Sequence, residues 1–389
     1  MSIGPYQLIV DLIELEGPIA FDTFMDLALY SEEGFYSDNN IGLKGDYYTS
    51  PTLHPVFSAF IATQINYIWE YLKKPNPFLI VELGCSNGIL AEDIVTSLSS
   101  ASNGIQDAFH YVAVDRMGTT SHSDKIDFMQ SELPPVFGGV GIVIANELFD
   151  AFPVKRFEIV SGLPHEILVG ISEEKRLIEL IDSEPLDTSN SEYLKKFDLP
   201  EGYQGILNPN IDTWFESLNK TLDKGFFLTF DYGYEEQDYY LSNRSGKHIQ
   251  TYYKHIDGLG LFDHVGTQDI TSHVNFTSVI DSGIRHEFKP VILKSQHDWM
   301  LDMKFYDALE PSDLARQEIS LIDSFMDLQG LGGFLMSMQQ KNIETVNYCE
   351  LIPSVEFVLN NFNIPPVTSS HLAHKIKFPN PYRTPDNYI

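Results

Sequence analysis

The stretch Phe78-Leu-Ile-Val-Glu-Leu-Gly-Cys-Ser-Asn-Gly-Ile-Leu-Ala91 decides the fold. Between Phe78 and Leu83 every residue except Glu82 is apolar, which suits a strand buried on both faces of a parallel sheet. Gly84 and Gly88 then frame a tight turn, and Ile89, Leu90, Ile94 and Leu98 fall on one side of a helix. Strand, turn and helix make the first half of a βαβ nucleotide-binding unit. The glycines let backbone approach a ligand closely, and the helix start offers unpaired N–H groups.

Working outward, Phe109-His-Tyr-Val-Ala-Val-Asp115 reads as the second strand, ending in Asp115, 27 positions after Gly88. An acid there can accept hydrogen bonds from ribose hydroxyls; the plainer reading is a solvated loop aspartate. Val140-Gly-Ile-Val-Ile-Ala145 runs straight into Asn146-Glu-Leu-Phe-Asp-Ala-Phe-Pro153, and Phe226-Phe-Leu-Thr-Phe-Asp231 into Tyr232-Gly233. Both place polar groups at the carboxyl end of a buried strand, where open α/β sheets bind ligands. A dinucleotide would want a fuller Gly-x-Gly-x-x-Gly turn, but Ser86 stands at the second glycine position. Glu82 would repel a pyrophosphate and suits the ammonium and sulfonium of S-adenosylmethionine.

Elsewhere the sequence predicts helices over Tyr6–Leu15, over residues 19–30, and from Ser50-Pro51 without interruption to Leu72. Residues 154–171 alternate as a hairpin, and the charged residues 172–202 read as a surface excursion. A helix is expected from Asn208 to Lys224 with Gly225 as its cap, a strand over 286–293, and helix from Trp299 to Lys341 ahead of a proline-rich tail.

The 389 residues can bury a large core, and the formal charge of −30 argues against nucleic acid as a partner. Two cysteines, Cys85 and Cys349, do not make a disulfide framework, which fits a reducing compartment. No run of 18 apolar residues reads as a membrane span. The opening Met-Ser-Ile-Gly-Pro lacks the basic start of a signal peptide, so the expectation is a cytoplasmic protein. His255, His264 and His273 lack tight ligand spacing, and no metal is expected.

With these motifs in place, the chain resembles the MidA-like methyltransferases over about Gly17 to Phe334. Gly17-Pro-Ile19, Phe24-Met25 and Gly34-Phe-Tyr36 are similar to the family's opening, and Gly45-Asp-Tyr-Tyr-Thr-Ser-Pro51 to its Gly-Asp-Phe-x-Thr-Ser-Pro-Glu. Val81-Glu-Leu-Gly84, Asn146 to Pro153, Asp231-Tyr-Gly-Tyr234, Tyr252 with His255, and Asp269-Ile-Thr-Ser-His-Val-Asn-Phe276 continue the series. The resemblance implies a Rossmann-like, seven-stranded α/β core, with S-adenosyl-L-methionine as donor and a protein arginine as acceptor. The expected layout is an N-terminal helical cap and lid loop over 1–75, the core over 76–296 with an insertion near 154–205, and C-terminal helices and tail over 297–389.

On this reading Glu82, Gly84, Ser86 and Gly88 hold the methionine part of the donor and Asp115 the ribose, while Phe128 or Met129 flanks the adenine. Thr49, Ser50 and Asn146 join the donor set. Glu147 and Asp231 lie nearest the methyl, and one orients the nucleophile or takes its proton; Asp46 adds a further acid from the N-terminal loop. Tyr47 closes with it as a lid, and Phe149, Tyr252, His255, Asp269, Thr271 and His273 face the acceptor. Glu147 also reads as a helix-start carboxylate, and Asp269, Thr271 and His273 as loop hydrogen bonders. Four positions depart from the family in one chemical direction: Thr52, Ile206, Gln250 and Asn275 stand where its pattern carries charge. A guanidinium favours carboxylates, so a small molecule or a peptide is a second reading of the acceptor. A catalytically inactive assembly or binding protein is a third, and a homodimer is admitted.

Overall fold

The computed structural model describes residues 3–38, 49–119, 124–254, 256–310, 314, 316–344 and 346–377. Two compact units emerge from the contacts, one of Met1–Tyr47, Leu148–Glu216 and Tyr232–Ser282, the other of Tyr48–Glu147, Ser217–Asp231 and Gly283–Ile389. This division crosses the linear layout expected from the sequence. The helix Val56–Tyr71 and the C-terminal helices fall in the same unit as the glycine turn.

In that second unit, seven strands form one sheet: β1 (Phe78–Leu83), β2 (Phe109–Asp115), β3 (Ile126–Gln130), β4 (Val140–Asn146), β5 (Lys224–Asp231), β6 (Phe288–Ser295) and β7 (Leu335–Lys341). Their spatial order is β6-β7-β5-β4-β1-β2-β3. Strands β1 to β5 pair in parallel, while β7 runs antiparallel to both β5 and β6. Chain order reverses between β1 and β4, which makes their carboxyl ends the topological switch point where open α/β sheets bind ligands. Helix α1 (Val56–Tyr71) is buried along nearly its whole length, and α2 (Ile89–Ser99) follows the glycine turn.

Three buried polar residues of α1 reach other elements. Ser58 donates to Asp93 on α2, Gln64 Nε2 to the Leu351 carbonyl, and Asn66 Nδ2 to Asn361 Oδ1. A buried amide without a partner costs about 1–3 kcal/mol, so these contacts specify where the C-terminal chain lies.

Four local expectations are corrected. The helix expected from Ser50 to Leu72 breaks at His54, which sits at φ −157°, ψ 139° and divides Ser50–Leu53 from α1. Pro55 causes this, because its ring disfavours helical backbone at the preceding residue. Residues 172–202 are not a bare excursion: the strand Leu177–Pro185 pairs with Leu163–Ile171, and Asp187 caps the helix Thr188–Leu194 by accepting from Ser189 and Asn190 N–H. The helix at Asn210 ends at Leu218, and Gly225 belongs to β5; a Cβ there would lie 1.9 Å from the Gly141 carbonyl oxygen. Finally, 299–341 is helical only in part. After Gln296–Asp302, Phe305–Leu309 and Arg316–Asp323 the chain forms β7, whose Ser337, Gln339, Gln340 and Lys341 are buried polar residues that mask a strand pattern.

In the first unit, the strand Ile19–Ala20 adds to a five-stranded sheet with Leu163–Ile171, Lys155–Val160, Gln204–Leu207 and Leu177–Pro185. The helix Phe21–Tyr30 lays Phe21, Phe24, Met25, Ala28 and Leu29 into the same core as Phe157 and Val169. Each of its large side chains contributes about 1.5–3 kcal/mol by leaving water. A smaller sheet joins Ile249–Tyr253 to Asp269–Ser272. Among the described residues, no helix is long and apolar enough to cross a membrane.

Strands β1, β4 and β5 approach so closely at Gly141 that a Cβ would lie 1.9 Å from the Leu79 carbonyl oxygen. Gly141→Ala should therefore lower stability in urea unfolding by about 1–3 kcal/mol, the range for overpacking. An unchanged midpoint would refute this register.

Candidate active site

The carboxyl edge of β1 and β4 is held in unusual backbone conformations. Gly84 and Gly88 take φ of 75° and 77°, and between them Ser86 takes φ 49°. At the end of β4, Glu147 takes φ 50°. Left-handed backbone at a residue with a side chain costs about 1–3 kcal/mol and persists where its surroundings impose it. For Glu147 the surroundings are visible. Its N–H donates to the Phe230 carbonyl at 2.8 Å, and its Oε1 accepts from the Ser50 N–H at 3.3 Å and from Asn146 Nδ2 at 3.0 Å. Ser50 itself is buried, and its hydroxyl has no hydrogen-bond partner among the described residues. Thr49 begins the same short helix, its N–H donating to Thr52 Oγ1 at 3.0 Å.

Asp115, at the end of β2, reaches back to the turn. Its Oδ2 accepts from the Ser86 N–H at 2.9 Å and its Oδ1 from the Met117 N–H at 2.8 Å. Burial pushes its pKa up, and these two N–H groups pull it back. Each oxygen has a second lone pair to offer a hydroxyl. Glu82, on β1, is almost fully buried and accepts from the Tyr111 hydroxyl at 2.7 Å. Burial raises its pKa to about 8, with the negative neighbours Asp115 and Asp93 adding to the rise and the Tyr111 hydrogen bond opposing it. At neutral pH the group holds a proton that an approaching cation would displace. Cys85 is buried and burial raises its pKa, so it is an inert small side chain in the turn.

Phe128 is half-buried on β3 opposite Ala113, and Met129 beside it is exposed. Asp231 closes β5 and is fully buried. All these donor-side residues belong to the second unit. Asp46, Tyr47 and His255 lie outside the described residues.

The remaining residues expected to face the acceptor belong to the first unit. Phe149 is buried in a cluster of rings, 5.2 Å from Phe152 and 5.0 Å from Trp214 between centroids. Asp269 accepts from the Tyr36 hydroxyl at 3.0 Å. Thr271 is buried with no partner for its hydroxyl among the described residues. His273 packs its ring on Tyr232 and Tyr234, and burial lowers its pKa. Tyr252 is set differently, its hydroxyl donating to the exposed Gln250 at 2.8 Å.

Sequence reasoning missed Asp150. It is buried inside the Asn146–Pro153 motif, and burial raises its pKa to about 6 against a hydrogen bond from Tyr232. Both residues lie in quoted motifs; nothing in their spacing showed that they meet. Among the described residues, no three His, Cys, Asp or Glu side chains are grouped to hold a metal.

A glycine turn at the switch point of a parallel sheet, a carboxylate ending the second strand and a buried acid before the turn place the chain in the Rossmann-like α/β class. A family model described as "Putative S-adenosyl-L-methionine-dependent methyltransferase" matches residues 60–291, more than half of the chain. The chain belongs to that family, and S-adenosyl-L-methionine is the family's methyl donor. It is similar to the mitochondrial protein arginine methyltransferase NDUFAF7 homolog of Drosophila melanogaster, 27% identical over 40% of this chain and 42% of the relative. The human protein arginine methyltransferase NDUFAF7 is 25% identical over 41% and 43%. The match therefore spans less than half the length of these relatives. In fold, a crystal structure from Burkholderia thailandensis bound to S-adenosyl-homocysteine superposes with a TM-score of 0.79 at 21% identity, covering 89% of this chain and 93% of that one.

The donor set fits this molecule in chemistry: lone pairs on Asp115 for a diol, backbone turn for a polar chain, and an acid at Glu82 for a cation. Because folded Glu82 keeps a proton that the unfolded chain loses above about 4.5, its contribution falls as pH rises from there to about 8. Glu82→Gln should flatten that slope in urea titrations. In calorimetry at pH 7, S-adenosylhomocysteine should release a proton from the wild type and none from the variant. Equal pH slopes would refute the buried acid.

Proposed function

We propose that the protein transfers a methyl group from S-adenosyl-L-methionine to a protein arginine. The observation that carries this reading is the match to relatives named as protein arginine methyltransferases, within a family of S-adenosyl-L-methionine-dependent enzymes. Retained carboxylates support it, with Glu147 and Asp231 at strand ends and Asp150 and Asp269 in the first unit. When bound, the donor supplies an electrophilic methyl on a positively charged sulfur. The chain's own residues then have three tasks. Gly84 to Gly88 and Asp115 would fix the donor in one orientation, the buried edge would exclude water, and a carboxylate would take the proton that the acceptor nitrogen loses as its bond to carbon forms and the methyl–sulfur bond breaks, S-adenosylhomocysteine leaving with the bonding pair. Glu147 is assigned that proton, because Ser50 and Asn146 hold its carboxylate in place.

A second reading keeps the donor and changes the acceptor to a small molecule or a peptide. All four departing positions have side chains already engaged or buried: Thr52 caps the Ser50 turn, Ile206 packs in the first unit's core, Gln250 accepts from the Tyr252 hydroxyl, and Asn275 pairs with Tyr193 and the Ser278 N–H. None brings a carboxylate to meet a guanidinium. The two free cysteines support a reducing, cytoplasmic setting.

Mass spectrometry of arginine-rich peptides incubated with enzyme and labelled donor tests the acceptor, and an absence of methylarginine with donor turnover on other acceptors favours the second reading. Asp115→Asn should weaken S-adenosylhomocysteine about tenfold, the loss of a charge-assisted hydrogen bond or more. Glu147→Gln should lower kcat about 100-fold with donor affinity kept, as for a lost general base.

A further inference from the structure

The chain beyond β7 is fastened to the donor edge by a buried side-chain cluster that the mechanism leaves unused. Asp93 sits on α2, five residues past Gly88, and is buried. Its Oδ2 accepts from Ser58 of α1 at 3.1 Å and faces Nε2 of His371 at 3.0 Å. His371 is itself buried, and its Nδ1 accepts from the Thr368 N–H at 3.0 Å, which leaves the ring proton on Nε2 to donate to Asp93. Directly after His371, the helix Leu372–Lys377 packs on the Ser50–Leu53 helix and on Arg316–Asp323. Arg316–Asp323 carries the buried Glu318, 3.8 Å from His54 at the end of the Ser50–Leu53 helix. The Ser50 N–H in turn holds Glu147.

We infer that His371 is a positioning residue for the donor site: its hydrogen bond to Asp93 clamps the C-terminal segment so that α2 and the Ser50–Leu53 helix are presented together. The inference rests on S-adenosylmethionine as donor and is independent of the acceptor. The link is physical at each step. Asp93 is desolvated and depends on charge-assisted donors to stay in place. The segment that supplies one of them also packs on the helix that fixes Glu147.

The test compares His371→Ala with His371→Gln, whose amide nitrogen can replace Nε2 as a donor. The alanine variant should raise the Kd of S-adenosylhomocysteine about tenfold, the loss of a charge-assisted hydrogen bond, and the glutamine variant should stay within about twofold of wild type. The donor KM should rise and kcat at saturating donor should fall with it, because loosening the Ser50–Leu53 helix frees the Glu147 carboxylate that the Ser50 N–H holds. In ligand-free protein, amide hydrogen exchange should quicken at residues 49–54 and 86–92 in the alanine variant and recover in the glutamine variant, a readout that does not depend on donor binding. Should His371→Ala fail to fold, His371→Asn, with the same amide on a shorter stem, takes its place. A folded variant with lowered thermal stability but unchanged exchange at 49–54 and unchanged Kd overturns the inference.

Discussion

The structure depends on one constraint, the parting of two parallel strands that lie side by side. β1 and β4 pair in parallel, and the chain leaves them in opposite directions, β1 toward the glycine turn and β4 toward Glu147. Every backbone group at that edge must find a partner without the ladder to supply it. The Ser86 N–H finds Asp115, the Gly84 N–H finds the Val114 carbonyl, and the Glu147 N–H finds the Phe230 carbonyl. Left-handed backbone at Ser86 and Glu147 is the cost of those bonds. The same bonds fix the Asp115 and Glu147 carboxylates at this edge, so the strain and the candidate chemistry lie together.

Holding such an edge falls to residues far away in sequence. β7 inserts antiparallel between β5 and β6, and the segment after it returns over α1 and α2. Buried amides at Gln64 and Asn66 meet Leu351 and Asn361, and the Ser97 hydroxyl donates to the Asn363 carbonyl. Apolar packing alone tolerates sliding, whereas buried polar pairs lose their full desolvation energy if they shift. These pairs therefore select one seat for the C-terminal chain. The rings of Phe57, Phe230 and Trp299 fill the space between and supply bulk stability without that selectivity.

What the sequence made legible follows from the same division of labour. The strands at Phe78, Phe109 and Val140 read correctly because their buried stretches are mostly apolar, broken only by Glu82 in the first and His110 in the second. Asp115 was legible as the end of the second strand and Gly84 and Gly88 as the turn after the first, because their spacing along the chain is the signal. β7 was not, since its burial is polar, with Ser337 and Gln339 on one face opposite Met336 and Met338 on the other. Its existence was implied by resemblance to a seven-stranded family, never by its own residues. The break at His54 was legible in principle, as Pro55 stands next to it. His371 with Asp93, and Asp150 with Tyr232, were not legible at all. No periodicity links residues 278 positions apart, and only the folded chain brings those pairs together.

The charge of the chain bears on the acceptor at a different length scale from the site. With a formal charge of −30, the whole molecule attracts a basic protein over distances up to a Debye length, about 8 Å at physiological salt. Contact recognition acts at shorter range, where a guanidinium needs oriented carboxylates, and Thr52, Ile206 and Asn275 carry none. Steering and recognition can thus point the same way or part company. Within the first unit, Asp150 and Asp269 are buried carboxylates that already accept hydrogen bonds from Tyr232 and Tyr36. Asp150 is then the more informative of the two, because burial holds its pKa near 6. A guanidinium arriving beside it would favour its ionised form, so arginine recognition would carry a proton release that a neutral acceptor does not require.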